Sequence, residues 1–201
     1  DPSQSCRPFS RDRNGLVLAD GAAAILLESL DEARRRHAPI LAELVGFGST
    51  TDTTDIAKPS IAGQSAAMQL ALDDAQLEPE DIDYINAHGT GSVVGDLVET
   101  LAIRDLFGRR ARAVPVSSTK SMHGHLMGAS AALELIACVL ALNEQAVPPT
   151  ANLRIPDPEC DLDYVPGKGR AAELRVVMSN TFAFGGNNVA LVTRRANPQR
   201  G

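Results

Sequence analysis

The chain has 201 residues, 44% hydrophobic and 22% charged, so it is long enough to bury a core and has the composition of a globular protein. Its formal net charge of −6 argues against a nucleic-acid-binding surface, which needs a clustered basic excess. The N-terminal residues have neither the basic start nor the apolar stretch of a signal peptide, which predicts a cytoplasmic protein.

Two further features narrow the class of protein. The longest apolar run, Ala131 to Leu142, contains Glu134 and falls short of the roughly 20 apolar residues that cross a bilayer, which predicts no membrane span. The cysteines Cys6, Cys138 and Cys160 form no CxxC pair, which favours reduced thiols over a disulfide framework or a zinc ribbon.

Hydrophobic periodicity predicts alternating strands and helices. In chain order these are a strand at 22–27, a helix at 31–37, a strand at 40–47, a helix at 60–75, a strand at 82–88, a helix at 96–107, a strand at 113–116, a helix at 126–142 and strands at 174–179 and 189–193. The glycine-rich turn after Phe184 joins the last two strands as a hairpin. This order predicts an α/β fold with a mixed sheet flanked by helices. Because no βαβ unit opens the chain, we expect it to be part of a longer protein.

Three loops that follow predicted strands contain most of the reactive side chains. They are Asn86–Thr90, Lys120–His125 and Asn180–Asn187. Ligands in α/β folds bind where strand ends face the same edge of a sheet, so we expect these loops to converge on one pocket.

Two histidines in these loops are candidates for catalysis. A lone histidine such as His88 is more often a structural hydrogen-bonding residue, but Gly89 leaves room for a substrate and Thr90 offers a hydroxyl. His125 precedes the predicted helix 126–142, where the helix dipole disfavours a protonated imidazole. A neutral imidazole can donate its N–H to an oxyanion.

Charged and aromatic residues support this interpretation. Glu134 lies on an apolar helix and needs a partner, for which Lys120 is the candidate, unless the carboxylate simply faces solvent. Phe182 and Phe184 precede two glycines, a combination that suits a moving gate or an N–H donor to an oxyanion.

The role of His123 is open at this point. An extended loop turns it away from His125, which predicts a structural or pocket-lining side chain. A separate hypothesis joins His88, His123 and His125 in a zinc site, although no convincing fourth ligand lies nearby in sequence.

Four motifs taken in order resemble those of the β-ketoacyl synthase family, and the similarity runs from about Cys6 to Thr193. The motifs are Asn86-Ala-His-Gly-Thr, Ser118-Thr-Lys-Ser-Met-His-Gly-His, Gln145-Ala-Val-Pro-Pro-Thr-Ala-Asn-Leu and Asn180-Thr-Phe-Ala-Phe-Gly-Gly-Asn. The chain is most similar to type II elongating synthases, including their nodulation-type relatives. The resemblance implies the thiolase-like fold, with 1–40 ending the N-terminal half, 41–195 forming the C-terminal ketoacyl synthase domain and 196–201 a tail.

The resemblance also implies a reaction. An acyl group is loaded from acyl carrier protein onto a cysteine, and malonyl-acyl carrier protein is decarboxylated to an enolate that attacks the acyl thioester. His88 and His125 then bind the malonyl thioester oxygen, Lys120 and Glu134 support His125, and Phe184 gates the acyl pocket and donates its backbone N–H to an oxyanion. No cysteine of this chain matches the nucleophile, which we expect in the other half.

The substrate arm and a cation are implied by the same resemblance. Thr90 and Ser92 match the hydroxyls that bind phosphopantetheine on the carrier protein, and Phe182 and Gly185 lie on the substrate side of the gate. The segment Thr53 to Lys58 departs from the family's pantetheine channel. No cofactor is required, but five residues match positions around a structural cation in some members: Asn86, Glu99, Glu134, Ser179 and Asn180.

The implied partners are acyl carrier protein, the N-terminal half of the same synthase and a second copy in a homodimer. Candidate basic residues for carrier docking are Arg34 to Arg36, Lys58, Arg109, Arg110 and Arg112. An alternative is a non-catalytic partner subunit that shapes the acyl pocket of another ketoacyl synthase. Intact His88 and His125 weigh against it.

Overall fold

The computed structural model describes residues 2–52 and 58–196. Its helices are α1 (Leu30–Arg35), α2 (Ile61–Ala75), α3 (Val93–Phe107), α4 (Lys120–His123) and α5 (Ser130–Glu144). Its strands are β1 (Ala42–Thr51), β2 (Tyr84–Asn86), β3 (Val116–Ser117), β4 (Ala146–Val147), β5 (Arg170–Ala171), β6 (Val176–Phe182) and β7 (Asn187–Arg195). Most of the predicted channel segment at 53–58 and most of the tail at 196–201 lie outside the described residues.

A five-stranded mixed sheet in the order β1-β7-β6-β2-β3 organises these elements. Strand β2 pairs in parallel with β3 and β6, whereas β7 runs antiparallel to both β6 and β1. Strands β6 and β7 form the predicted hairpin, in which Phe182 lies opposite Asn188. The predicted α/β class with a mixed sheet is confirmed.

Helices cover both faces of this sheet. Tyr84 and Val177 belong to a core cluster with residues of α5, whereas their neighbours Ile85 and Met178 belong to a cluster with residues of α2 and α3. Successive strand residues point to opposite faces, so the two clusters mark the two faces. The site described below lies at the carboxyl edge of this three-layer arrangement.

Two glycines let helix α2 approach β1 closely. A Cβ atom at Gly46 would overlap the carbonyl oxygen of Ala71, and one at Gly48 would overlap that of Ala67. A larger residue at either glycine would therefore push the helix away from the sheet.

The segment Met127–Glu144 is long and apolar enough to cross a membrane by length and composition, with a hydropathy of 1.4. The length of the apolar run therefore does not by itself exclude a membrane span. Within the described structure, α5 packs on β6 and buries Glu134 against Lys120. These contacts come from one face of the helix, and 33% of the segment is buried in the structure.

The predicted strand at 22–27 is wrong. No described strand pairs with these residues, and Leu26 and Leu27 are 81% and 66% exposed. The nearest bridge in the preceding residues joins Leu18 to His125. An apolar run becomes a strand only where a neighbour satisfies its N–H and C=O groups, and no described residue does so here.

Candidate functional site

The carboxyl ends of three parallel strands bring the predicted loops together. The His88 loop follows β2, helix α4 follows β3, and the turn containing Phe184 follows β6. The ring centroid of His88 lies 5.6 Å from that of His125 and 6.0 Å from that of Phe182. The structure thus places both candidate histidines and the end of β6 at one edge of the sheet.

The loop of His88 is held by a buried carboxylate. Glu99 Oε1 accepts the backbone N–H of His88 at 2.8 Å, and Glu99 Oε2 accepts that of Gly89 at 2.8 Å. Burial raises the pKa of Glu99 to about 7, an effect opposed by these two N–H groups. Glu99 therefore fixes the position of the His88 backbone.

The imidazole of His88 carries its proton on Nε2. Lys120 Nζ lies 3.4 Å from His88 Nδ1, and an ammonium group can only donate, so Nδ1 is the acceptor. Burial, followed by the charge of Lys120, lowers the pKa of His88 well below its ordinary value. The ring is neutral at physiological pH.

His125 is in the same tautomer for a different reason. The backbone N–H of Met127 donates to His125 Nδ1 at 3.2 Å, which leaves the proton on Nε2. Burial, followed by the charge of Lys120, lowers the pKa of His125. None of the described residues hydrogen-bonds to Nε2 of His88 or His125. Both Nε2–H groups are available to a ligand.

The expected cause of the neutral state of His125 needs correction. We predicted a helix from 126, whose dipole would act on this ring. Helix α5 begins only at Ser130, after a 3₁₀ turn at Met127–Ala129. Because a helix dipole acts mainly within its first turn, burial and Lys120 are the causes that the structure supports.

Lys120 and Glu134 form the predicted ion pair. Both side chains are fully buried and Lys120 Nζ donates to Glu134 Oε1, so the solvent-facing alternative for Glu134 is wrong. Burial raises the pKa of Glu134, and the Lys120 charge opposes that rise. Lys120 thereby connects the buried carboxylate to His88.

Both ring nitrogens of His123 are occupied by partners other than His88 and His125. Its Nδ1 lies 2.8 Å from the Gly124 carbonyl oxygen and its Nε2 lies 3.1 Å from Thr119 Oγ1, so both ring nitrogens have partners. No group of three or more His, Cys, Asp or Glu side chains is arranged for a metal ion in the part of the chain that the structure describes. The zinc hypothesis is wrong for these residues, and His123 is structural.

Three of the five residues matched to a cation position present unpaired oxygens. Asn86 Oδ1, Glu134 Oε2 and Asn180 Oδ1 are buried without a hydrogen-bond partner. Ser179 is also buried, whereas both oxygens of Glu99 already accept backbone N–H groups. Buried unpaired oxygens need an explanation, and a hard cation accepts such ligands.

The two hydroxyls matched to the phosphopantetheine arm lie together. Thr90 Oγ1 is 3.3 Å from Ser92 Oγ, and Ser92 Oγ accepts the N–H of Gly95 at 3.1 Å. Ser92 is therefore also the N-cap of α3. Any contact with a substrate has to share this hydroxyl with the helix.

Sequence reasoning missed a buried network beneath these hydroxyls. Asp96 accepts the N–H groups of Phe9 and Gly91 at 2.8 and 3.1 Å, and burial raises its pKa to about 6. Arg13 donates to the Ser92 carbonyl oxygen at 3.1 Å and to Asp157 at 2.5 Å. The only local signal for this role was the position of Asp96, an acidic residue in the first turn of α3.

The turn containing Phe184 is held by a residue that the sequence did not single out. Asp52 donates its N–H to the Gly186 carbonyl oxygen at 2.8 Å, and Asn188 Nδ2 donates to Asp52 Oδ2 at 3.1 Å. Gly185 and Gly186 have φ of 81° and 73°, in the left-handed region. The Phe184 side chain at the tip is 73% exposed, so the anchored turn carries a ring with few contacts.

The cysteines do not provide a nucleophile at this edge. All three are free and buried. Burial raises the pKa of Cys6 and of Cys160 to about 11 and that of Cys138 to about 12. A nucleophilic thiol needs the opposite environment, which stabilises the thiolate.

Comparisons with known proteins identify the family of this chain. The profile of the family "Beta-ketoacyl synthase, C-terminal domain" matches residues 41–154. Nodulation protein E of Rhizobium sp. (strain N33) is 51% identical over 191 residues, which are 95% of this chain and 48% of that protein. The 3-oxoacyl-[acyl-carrier-protein] synthase 2 of Synechocystis sp. is 48% identical over 197 residues, 97% of this chain and 47% of that protein.

A solved structure gives the same result for the fold. A ketosynthase in complex with its type II PKS acyl-carrier protein superposes with a TM-score of 0.94 at 35% identity, over 98% of this chain and 48% of that one. The thiolase-like fold of these proteins is thus the fold of this chain. The chain spans about half the length of the curated relatives it matches.

Proposed function

Because the chain belongs to the β-ketoacyl synthase family, we propose that it supplies the two histidines of a decarboxylative Claisen condensation. The reaction joins an acyl-enzyme to malonyl-acyl carrier protein and gives 3-oxoacyl-acyl carrier protein, in the elongation of fatty acids or related acyl chains. One observation carries the proposal. Two neutral imidazoles, His88 and His125, lie 5.6 Å apart between ring centroids.

The geometry suits stabilisation of an enolate. The Nε2–H groups of His88 and His125 bind the malonyl thioester oxygen, and the electron pair released with CO₂ moves onto that oxygen as the enolate forms. Two N–H donors already in place stabilise this charge without reorganisation. Neutral rings matter, because an imidazolium is a strong enough acid to protonate the enolate carbon and end the reaction. The enolate carbon then attacks the acyl thioester carbon and expels the cysteine thiolate.

Lys120 and Glu134 have a supporting role in this proposal. The Lys120 ammonium at His88 Nδ1 keeps that ring neutral, and Glu134 balances the ammonium charge in a fully buried place. The pair acts on the substrate through His88, so both are positioning residues.

We assign two further roles, to the turn containing Phe184 and to the hydroxyls of Thr90 and Ser92. Phe184 closes the acyl pocket and its backbone N–H helps to bind the second oxyanion, with Phe182 and Gly185 beside it. Thr90 and Ser92 bind the phosphopantetheine arm. The exposure of Phe184 and the pairing of the two hydroxyls support these roles.

We place the nucleophilic cysteine in the N-terminal half of the synthase. The outer face of α5 offers a surface on which that half could pack, because a groove of about 540 Å³ there is lined by Leu133, Ile136 and Leu140, among others. Large apolar surfaces of this kind are normally covered. Residues 1–40 then complete the N-terminal half, 41–195 form the C-terminal domain and 196–201 a tail, in a cytoplasmic homodimer.

Acyl carrier protein is the proposed partner. A related ketosynthase has been solved with its acyl-carrier protein, which supports this choice. Several of the candidate basic residues already pair within the chain: Arg35 with Glu32, Arg36 with Glu28, and Arg112 with Asp161. Exposed ion pairs are weak, so carrier carboxylates can compete for these arginines.

The proposal is tested with the synthase that contains this chain and the cysteine half. The acyl-loaded enzyme and malonyl-acyl carrier protein should give CO₂ and 3-oxoacyl product in equal amounts, measured by gas release and mass spectrometry. Absence of both products overturns the proposal. A partner subunit instead would be inactive by itself and would change the product length of another synthase.

We further propose a structural cation at the unpaired oxygens of Asn86, Glu134 and Asn180. Potassium or magnesium at a hundredfold excess over Kd should raise the free energy of unfolding by about 2–3 kcal/mol relative to a chelated protein in a bulky organic cation, and so raise the midpoint of thermal unfolding. Asn180→Leu should abolish the dependence on the ion, whereas Asn143→Leu, at an exposed asparagine, should keep it. Unfolding midpoints that are the same with and without these ions contradict the proposal.

A further inference from the structure

We propose that Ser130 is a positioning residue that holds His125 in the tautomer needed for the reaction. The inference rests on the function proposed above. Ser130 is the first residue of α5 and is 1% exposed. Its Oγ lies 2.8 Å from the backbone nitrogen of Leu126 and 2.9 Å from His125 Nδ1.

The direction of each hydrogen bond follows from the number of protons available. The Leu126 N–H can only donate, so Ser130 Oγ accepts it and keeps one O–H proton to give. The Met127 N–H donates to His125 Nδ1, so this nitrogen carries no proton that it could give to the serine. The remaining arrangement has the Ser130 hydroxyl donating to Nδ1. Two donors therefore converge on one ring nitrogen.

The backbone between them is shaped for this contact. Met127 has φ of 52°, a conformation that a residue with a side chain rarely adopts. Strain of this kind persists where the surrounding contacts hold it. Ser130 ties the Leu126 N–H to the start of α5 and so closes the turn that presents the Met127 N–H to His125.

The arrangement defines what Ser130 contributes. Its O–H bond exists only when Nδ1 is unprotonated, so it favours the neutral ring with the proton on Nε2. The charged or titratable groups around His125 are Lys120, His88 and His123. Lys120 acts on the charge of the ring, whereas Ser130 adds a second donor to the Met127 N–H at Nδ1 and so helps to keep the proton on Nε2.

The variant Ser130→Ala removes one donor and leaves the Leu126 N–H without its acceptor. The pKa of His125 should rise, because the neutral ring loses a hydrogen bond, and the acid limb of the pH–rate profile should move to higher pH. We expect kcat to fall about tenfold, with a smaller change in KM. Ser130→Thr keeps the hydroxyl and should restore the tautomer and most of the rate.

The test uses the complete synthase with ¹⁵N-labelled histidine, with His125 assigned through His125→Gln. Nitrogen chemical shifts over a pH titration report the tautomer and protonation of His125 without any turnover. Ser65→Ala is the matched control, since it removes another buried serine hydroxyl that bonds to Asp105 at 2.8 Å. If Ser130→Ala does not fold, Ser130→Cys, with its weak S–H donor, replaces it.

The inference is supported if the pKa of His125 or the share of its Nδ1–H tautomer rises in Ser130→Ala and neither changes in Ser130→Thr or Ser65→Ala. It is overturned if the His125 spectra of Ser130→Ala and the unmodified synthase coincide. These spectra are independent of the condensation assay. A synthase that makes no product with intact His125 spectra contradicts the proposed reaction, whereas an active synthase with unchanged spectra in Ser130→Ala contradicts the role of Ser130.

Discussion

Replacing either His88 or His125 by alanine should lower the rate of malonyl-carrier decarboxylation by about 10²–10³-fold, because each replacement removes one N–H donor to the enolate oxygen. The rate is measured as release of CO₂ from malonyl-acyl carrier protein by the complete synthase. The two losses should not multiply in the double variant, since both rings bind the same oxygen.

The third histidine of the same loops provides the matched control. His123→Ala removes a ring whose nitrogens bond to Thr119 and Gly124. Decarboxylation should then change by only a few-fold. A loss with His123→Ala as large as with His125→Ala would contradict the assignment, as would a His88→Ala enzyme of normal rate.

A change at Phe184 should distinguish acyl loading from decarboxylation. Phe184→Ala should slow acyl loading of the cysteine or make it less selective, while the rate of decarboxylation stays within a few-fold of normal.

The acid limb of the pH–rate profile of decarboxylation should lie below the ordinary pKa of histidine, since the pKa values of both His88 and His125 are lowered, by burial first and by Lys120 second. Protonation at lower pH then removes the neutral rings.

Replacing Lys120 by methionine should have the largest effect on stability. It leaves Glu134 fully buried without its ion-pair partner, and breaking one side of a buried pair costs about 3–5 kcal/mol of unfolding free energy. It also removes the ammonium group next to His88 Nδ1. Denaturant unfolding measures the first effect and CO₂ release the second.

A double variant separates these two roles. Lys120→Met with Glu134→Gln removes both charges while keeping similar shapes, so most of the lost stability should return. Decarboxylation should stay low, because His88 still lacks its charged neighbour. Full recovery of the rate in the double variant would show that Lys120 matters only for folding. A stable Lys120→Met single variant would contradict the cost of the unpaired carboxylate.

Periodicity and turn chemistry were enough to predict much of the fold. The start of α2 was predicted within one residue and that of α3 within three, and the hairpin of β6 and β7 was predicted from its glycine turn. These signals are local, since each depends on residues close together in the chain. The same local signals predicted a strand at 22–27 that does not form, because pairing depends on a neighbour that local sequence does not specify.

The sequence by itself determined which side chains are reactive. It also determined that they follow the ends of predicted strands. The positions of His88, Lys120 and His125 in two of the three strand-end loops were sufficient to predict that they meet. Tertiary structure alone decided that Glu134 faces Lys120 and not solvent, and that Ser130 reaches His125.

The physical reason is the same in each case. Where a proton resides depends on which donors surround a nitrogen, and those donors come from backbone turns and from elements distant in sequence. The tautomers of His88 and His125 follow from an ammonium group and a backbone N–H that only the folded chain places within reach. Residue types are written in the sequence, but the partners of a buried polar atom are set by packing.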